Sequence, residues 1–156
     1  MPFALRWANE ADAPAIRRLV RESNLNTLGI VWQRFIVAED AGRIVGMGQI
    51  KVHGDGSREL ASIATVPDRR GEGIATAIIE TLLENALQKA MDGDLYLTCR
   101  AHNEAFYERF GFRRVERPDG APPYFARLIR VFNAAEAALK LLGRKMPGLV
   151  MVRKGA

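Results

Sequence analysis

The sequence predicts a mixed α/β protein, and three observations carry that prediction. Short β-rich runs alternate along the chain with amphipathic stretches. An apolar stripe at helical spacing, from about Gly71 to Met91, separates two of these runs as in a βαβ unit. The 156 residues are 48% hydrophobic and contain no repeat or Ser/Gly linker. We therefore expect a single domain over 1–156, with a C-terminal helix extension at about 123–143.

The N-terminal region predicts a strand, a helix and then a loop. Phe3–Trp7 is a short apolar run typical of a strand. Asn9, Asp12 and Pro14 favour a helix start directly after it. The apolar face of that helix contains Ile16, Leu19 and Val20. Residues 23–33 mix polar turn formers with apolar side chains, which indicates a loop with a short second helix.

Three β-rich runs then follow one another through turns. Arg34–Glu39 and Arg43–Val52 are joined by Asp40-Ala-Gly, which predicts a hairpin. A second turn, His53-Gly-Asp-Gly-Ser, leads to a strand at Glu59–Val66 that Pro67 ends. On the alternating pattern of this strand we expect Glu59, Ala61, Ile63 and Thr65 to share one face.

The long helix after Gly71 is the strongest periodic signal in the chain. One row of its apolar face contains Ile74, Ile78, Leu82 and Ala86. The elements predicted beyond it are a buried strand at Leu95–Cys99, a short helix at Asn103–Phe110, a strand at Phe112–Arg117, a helix at Tyr124–Leu142 and a strand at Leu149–Arg153. The apolar side of the helix at 124–142 contains Phe125, Leu128, Ile129, Phe132, Leu139 and Leu142.

Charge and cysteine content narrow the classes of protein. Residues 1–99 hold 11 Lys/Arg against 13 Asp/Glu, whereas residues 100–156 hold 12 against 5, which favours an anionic partner near the C-terminal third. No apolar run approaches the ~18 residues of a membrane helix. The lone Cys99 cannot form an internal disulfide and no secretory signal precedes the first strand, so we expect a cytoplasmic protein.

A glycine-rich turn at residues 67–76 is the first candidate site. Gly71 and Gly73 allow a tight backbone turn before the long helix, whose free N–H groups form an anion site with Arg70 at its edge. The segment is not a P-loop, because it has no Lys, and not a Rossmann fingerprint, because Thr76 stands where a third glycine or alanine is needed. A turn that uses glycine for geometry alone stays open.

Two motifs in this order resemble the GNAT superfamily of acyl-CoA-dependent N-acyltransferases. Arg70, Gly73 and Ala75 match the family's Arg/Gln-x-x-Gly-x-Gly/Ala pattern, and the strand and proline before them are similar too. About 30 residues on, Asn103-Glu-Ala-Phe-Tyr-Glu-Arg-Phe-Gly-Phe is similar to a second family signature. The resemblance implies a GNAT fold: a central, mixed and mostly antiparallel sheet of six to seven strands flanked by helices.

The resemblance also implies acetyl-CoA as co-substrate and places its binding residues. The backbone of the strand end at about Ile63–Val66 would pair with the pantetheine arm. The pyrophosphate would lie on backbone N–H groups of the turn, and the Thr76 hydroxyl could donate to it. The residues implied to contact the cofactor are Ala64, Thr65, Val66, Arg70, Gly71, Glu72, Gly73, Ile74, Ala75, Thr76, Asn103 and Phe106. Glu72 departs from the pattern, and its carboxylate must point to solvent.

Two catalytic roles follow from the resemblance. Tyr107 matches a family tyrosine near the thioester sulfur and is a candidate general acid; the alternative is a packing tyrosine. Glu59 stands where some members supply a glutamate base; the alternative is a solvated strand end. We interpret His53 and His102 as solvated loop residues, with His102 a minor alternative base. Cys99 is more simply a small core residue than an acyl carrier, and no metal site is expected.

The function predicted is direct transfer of an acetyl group from acetyl-CoA to a primary amine. Similarity of the stretch after Leu97 to amino-acid acetyltransferases points to an amino acid or other small amine, with Arg34, Arg117 or Arg127 available to pair with a carboxylate. The alternatives are a non-catalytic acyl-CoA sensor and a protein N-terminal or lysine acetyltransferase. We expect no nucleic-acid partner and no membrane span, and a homodimer stays open.

Overall fold

The computed structural model describes residues 2–89, 91, 93–144 and 148–155. Its strands are β1 Ala4–Trp7, β2 Phe35–Asp40, β3 Arg43–Val52, β4 Arg58–Thr65, β5 Leu95–Arg100, β6 Arg113–Arg114 and β7 Gly148–Arg153. Its α-helices are α1 Ala13–Glu22, α2 Ile74–Gln88, α3 Glu104–Glu108 and α4 Pro123–Leu141. Short 3₁₀ helices lie at Glu10–Asp12, Trp32–Arg34, Pro67–Arg69 and Ala101–Asn103.

The seven strands form one mostly antiparallel sheet, flanked by helices, in the order β1-β2-β3-β4-β5-β7-β6. β1–β2, β2–β3, β5–β7 and β6–β7 are antiparallel. β4 and β5 pair in parallel, with Arg58 opposite Leu95 and Glu59 opposite Tyr96. The predicted fold class is therefore confirmed, and the strand count is the upper of the two expected.

The chain groups into two compact units, Met1–Lys51 with Leu60–Met91 and Val52–Glu59 with Asp92–Ala156. In the first unit, α1 and β2 bury their apolar residues, as their spacing predicts. The predicted row of α2 (Ile74, Ile78, Leu82 and Ala86) is buried as well. A Cβ built on Gly46 of β3 would lie 2.4 Å from the Ile74 Cγ2, so the missing side chain lets α2 approach the strand.

The second unit has its own aromatic core. Tyr96 of β5 stacks on Phe125 of α4, with ring centroids 4.5 Å apart. Ile129 and Val150 complete the buried cluster. The exposed face of α4 holds Arg127 and Arg130, which confirms the predicted amphipathic helix.

Two sequence expectations for this unit are wrong in detail. The strand predicted at Phe112–Arg117 is only Arg113–Arg114, the two residues that pair with β7. Leu142, predicted on the apolar side of the last helix, follows the end of α4 and is 71% exposed.

Candidate active site

The glycine turn connects β4 to α2 through two left-handed glycines. Gly71 and Gly73 have φ of +83° and +80°, a region that side chains with a Cβ adopt at a cost of about 1–2 kcal/mol. A Cβ built on either would meet no protein atom within 4 Å. The glycines are therefore required by the backbone conformation, and the space beside them is open to a ligand.

The N-terminus of α2 has the properties of an anion site. Gly73 caps the helix without a side-chain hydrogen bond, and the first turn contains no acidic residue. The first N–H groups of a helix lack partners within it and carry partial positive charge. At the start of α2, the Ala77 N–H donates a hydrogen bond to the Gly73 carbonyl at 3.0 Å. The residues present fit a pyrophosphate.

Glu72 is exposed, as expected for this side chain, and it is also held in an ion pair. Its Oε2 accepts a hydrogen bond from the Arg69 Nε at 2.7 Å, and the Arg69 Nη1 donates to Asp40 at 2.6 Å. Arg69 is buried, and its pKa is raised by Glu72 and then by Asp40. The carboxylate beside the anion site is thus paired with a cation, which reduces its repulsion of a phosphate. Arg70, predicted to contact the cofactor, is exposed.

The strand before the turn contains a backbone irregularity at Ser62. Ser62 has φ of +56°, a conformation that costs about 1–3 kcal/mol and concentrates at functional sites. Its Oγ accepts from the Nε2 of Gln49, which is 2% exposed. Beyond it, Ala64 and Val66 are buried, Thr65 is half-buried, and the Val66 N–H donates to the Val45 carbonyl at 2.9 Å. The alternation predicted from Glu59 to Thr65 is therefore interrupted at Ser62.

In the second unit, three of the predicted site residues lie in α3 or directly before it: Asn103, Phe106 and Tyr107. Asn103 precedes α3 and makes no cap hydrogen bond with its side chain. Phe106 packs edge-to-face against Tyr107, with centroids 5.1 Å apart. Burial, and then the nearby Cys99, raise the pKa of Tyr107 to about 12, so its hydroxyl is protonated at neutral pH. It can therefore donate a proton.

Cys99 is half-buried and has the properties of a packing residue rather than a nucleophile. Its Sγ lies 3.8 Å from the Met151 Sδ. Burial and Glu104 raise the pKa of the thiol to about 11, whereas nucleophilic attack needs the thiolate. These observations agree with the core interpretation.

Glu59 lies in a buried pair with a residue that sequence reasoning assigned to solvent. Its Oε2 is 2.7 Å from the His53 Nε2, and the two side chains are 10% and 9% exposed. The Thr98 hydroxyl lies 3.4 Å from the other oxygen, Oε1. The alternative interpretation of Glu59 as a solvated strand end and the expectation that His53 is a solvated loop residue are both wrong. A His and a Glu on the two arms of one tight hairpin were the signal in the sequence.

The same hairpin is bound to the start of α4. Asp55 accepts hydrogen bonds from the Ser57 side chain and, at 2.9 Å, from the backbone N–H of Tyr124. These bonds lower the pKa of Asp55 to about 2. The Tyr124 ring stacks on His53, with centroids 3.7 Å apart. Among the described residues, no group of three His, Cys, Asp or Glu could hold a metal ion, and none of the described helices is long and apolar enough to cross a membrane.

Comparison with known protein families shows to which family a chain with these features belongs. The profile of the acetyltransferase (GNAT) domain matches residues 31–114, which is more than half of the chain and includes the glycine turn and Tyr107. This chain belongs to the GNAT acetyltransferase family. It is therefore an acyltransferase enzyme that transfers an acetyl group to an amine.

Individual GNAT proteins are similar over nearly the whole chain. An amino-acid acetyltransferase from Mycobacterium tuberculosis is 29% identical over 94% of this chain and 88% of its own length. The crystal structure of the Mycobacterium tuberculosis protein Rv2747 in complex with CoA superposes with a TM-score of 0.71 at 24% identity, covering 98% of this chain and 99% of that one. N-acetylglutamate synthase from Neisseria gonorrhoeae, complexed with coenzyme A and N-acetyl-glutamate, gives 0.72 at 20% identity, covering all of this chain and 36% of that one.

Proposed function

We propose that this GNAT enzyme transfers the acetyl group of acetyl-CoA directly to the amine of a free amino acid or a similar small molecule, and that the whole chain acts as one acetyltransferase domain. The anion site at the α2 N-terminus carries the cofactor assignment, because its open left-handed turn leaves backbone N–H groups for a pyrophosphate. The 29% identical relative named an amino-acid acetyltransferase supports the acceptor class.

The turn would bind the cofactor through backbone groups from Arg70 to Ala75, with the Thr76 hydroxyl as a further donor. The Glu72 carboxylate, which would repel the phosphates, is paired with Arg69. The strand end formed by Ala64, Thr65 and Val66 would pair with the pantetheine arm, and Asn103 and Phe106 would contact the same cofactor. Acetyl-CoA supplies an activated acyl group.

Tyr107 would act when the tetrahedral intermediate collapses. The amine nitrogen attacks the thioester carbonyl carbon, the C–S bond breaks, and the sulfur leaves with its electron pair. A protonated Tyr107 donates its hydroxyl proton to that sulfur, and its pKa of about 12 keeps this proton in place until it is needed. Glu59 would assist deprotonation of the acceptor amine, through the pair that it forms with His53.

A thiol-release screen tests the proposal. Free CoA thiol is measured with purified protein, acetyl-CoA and four sets of acceptors: amino acids, polyamines, aminoglycosides and N-terminal peptides. We expect turnover with one or a few amino acids or small amines. Turnover with peptides alone would contradict the acceptor class and favour a protein N-terminal acetyltransferase. Acetyl-CoA binding without thiol release from any acceptor would contradict the proposed reaction and favour a sensor.

A further inference from the structure

We propose that His53 is the group that takes the proton from the acceptor amine, and that Glu59 is a positioning residue that orients its imidazole. This inference rests on the proposed acetyl transfer and deepens it. It assigns a catalytic role to a hairpin residue that the sequence alone places in solvent.

Both carboxylate oxygens of Glu59 have neighbouring polar groups within the protein. Oε2 faces the His53 Nε2 at 2.7 Å, and Oε1 faces the Thr98 hydroxyl at 3.4 Å. Glu59 is also only 8% exposed. A carboxylate with neighbours at both oxygens is arranged to orient a partner rather than to meet a substrate directly.

The His53 ring, in contrast, is held in one orientation with one nitrogen left over. It stacks on Tyr124 at 3.7 Å between centroids and meets the edge of Phe125 at 5.6 Å. Its backbone N–H donates to the Ser57 carbonyl at 2.9 Å, which fixes the hairpin below the ring. Within the described part of the chain, the His53 Nδ1 makes no hydrogen bond, and it is in contact with solvent.

The hydrogen bond with Glu59 determines which nitrogen of the neutral His53 ring can accept a proton. When the Nε2 proton is donated to Glu59, the neutral imidazole carries its lone pair on Nδ1 and can accept a proton there. The groups that face His53 are Glu59 from β4, Asp55 from the hairpin and Tyr124 from α4. Two of these are carboxylates, of which Glu59 faces the ring nitrogen directly.

The proton balance of the reaction is then complete. The acceptor enters as an ammonium ion and loses one proton to the His53 Nδ1, which frees the nitrogen lone pair for attack. After the N–C bond has formed, the nitrogen loses a second proton to solvent, and the Tyr107 oxygen takes one up from solvent to replace the proton that it gave to the CoA sulfur. The first proton leaves His53 for solvent. The products are the N-acetylated amine, CoA thiol and one released proton.

The test compares pH profiles of kcat/KM for the acceptor. His53→Gln keeps a side-chain N–H for Glu59 but has no nitrogen that takes up a proton. We expect kcat/KM to fall about 10²-fold at acidic pH, the low end of general-base effects, and the gap to narrow as pH rises and the amine deprotonates unaided. The dissociation constant for acetyl-CoA should be unchanged. His102→Gln removes the exposed imidazole that is the alternative base and should overlay the parent; a loss there as large as in His53→Gln would overturn the assignment.

Glu59→Gln separates the two residues and stands in if His53→Gln fails to fold. If His53 accepts the proton, the acid limb of the profile persists in Glu59→Gln. Loss of that limb in Glu59→Gln would overturn the inference and make Glu59 the base. The inference would also be overturned if the parent is active and the pH profile of His53→Gln is the same as that of the parent. A parent that releases no thiol with any amine would overturn the proposed function and this inference with it.

Discussion

At the scale of single residues, burial determines which protonation state Tyr107 holds. The half-buried ring, close to Cys99, has a pKa of about 12 for its hydroxyl. The group is therefore a proton donor across the neutral range and a poor base. The same residue packs against Phe106 and Phe112, so a structural role and a chemical role must be separated by measurement.

Replacing Tyr107 by Phe should lower kcat about 10²-fold and leave the dissociation constant for acetyl-CoA nearly unchanged. The aromatic contacts are retained, and only the donor to the leaving thiolate is lost; thiolate is a good leaving group, so the low end of general-acid effects applies. Steady-state kinetics and calorimetric binding on the same variant provide the measurement. Tyr96→Phe, in the core, is the control. Unchanged kcat in Tyr107→Phe would remove this hydroxyl from the mechanism.

Replacing Gly73 by Ala should weaken acetyl-CoA binding with the fold retained. The methyl group meets no protein atom, but it disfavours the left-handed backbone by about 1–2 kcal/mol and occupies the space where a phosphate would approach. Gly120→Ala is the matched control, because Gly120 has a similar φ of +79° and equally open surroundings. Both variants should lose similar stability in urea unfolding. Equal acetyl-CoA affinity in the two would contradict the anion-site assignment.

At the scale of elements, one carboxylate connects the β3–β4 hairpin with the start of α4. The hydrogen bonds from Ser57 and from the Tyr124 N–H hold the pKa of Asp55 at about 2, below its ordinary 3.8. A carboxyl group with a lowered pKa in the folded state stabilises that state above its unfolded pKa. This contribution is lost as pH falls through the folded pKa.

Asp55→Ala should therefore be less stable than the parent at pH 7, and the difference should shrink between about pH 4 and pH 2. The measurement is the free energy of unfolding from urea titrations at several pH values. A difference that stays constant down to pH 2 would show that the side chain contributes through packing rather than through its charge.

The contact between α2 and β3 depends on two glycines without side chains. A Cβ on Gly46 would lie 2.4 Å from the Ile74 Cγ2, and one on Gly48 would lie 2.8 Å from the Ile78 Cγ2, both in α2. Gly46→Ala should reduce the free energy of unfolding by about 1–3 kcal/mol, the usual cost of overpacking. Gly54→Ala, with nothing within 4 Å and an ordinary φ, should change it far less. Equal losses in the two variants would exclude the close approach as the cause.

At the scale of the whole molecule, cofactor binding should raise thermal stability by mass action. At a CoA concentration 100-fold above its Kd, the gain is about 2.7 kcal/mol, which corresponds to a Tm increase of about 5–11 °C for a chain of this size. Pantetheine, which has no pyrophosphate, should give a much smaller increase at the same concentration. Equal increases with the two ligands, measured by differential scanning fluorimetry, would show that the phosphates contribute nothing.

Local patterns were sufficient for most of the elements. The Ile74–Ala86 row predicts α2, and the capping arrangement of Asn9 and Asp12 is present where those residues predict a helix start. The length of β6 was overestimated, because the β-rich run 112–117 extends on both sides of the two residues that pair with β7. A propensity pattern does not show where tertiary packing ends a strand.

What the sequence by itself determined is the fold class, the family and the glycine turn, because each follows from short-range spacing along one segment. The tertiary structure decided the partners of buried polar groups: His53 with Glu59, Arg69 with Asp40, and Gln49 with Ser62. These pairs lie 6 to 29 residues apart in the chain. Only the His53–Glu59 pair has a local signal, its position on the two arms of one hairpin. A polar side chain exchanges water for a partner only when folding brings the two together and removes both from solvent, so local sequence does not distinguish the other two pairs from exposed residues.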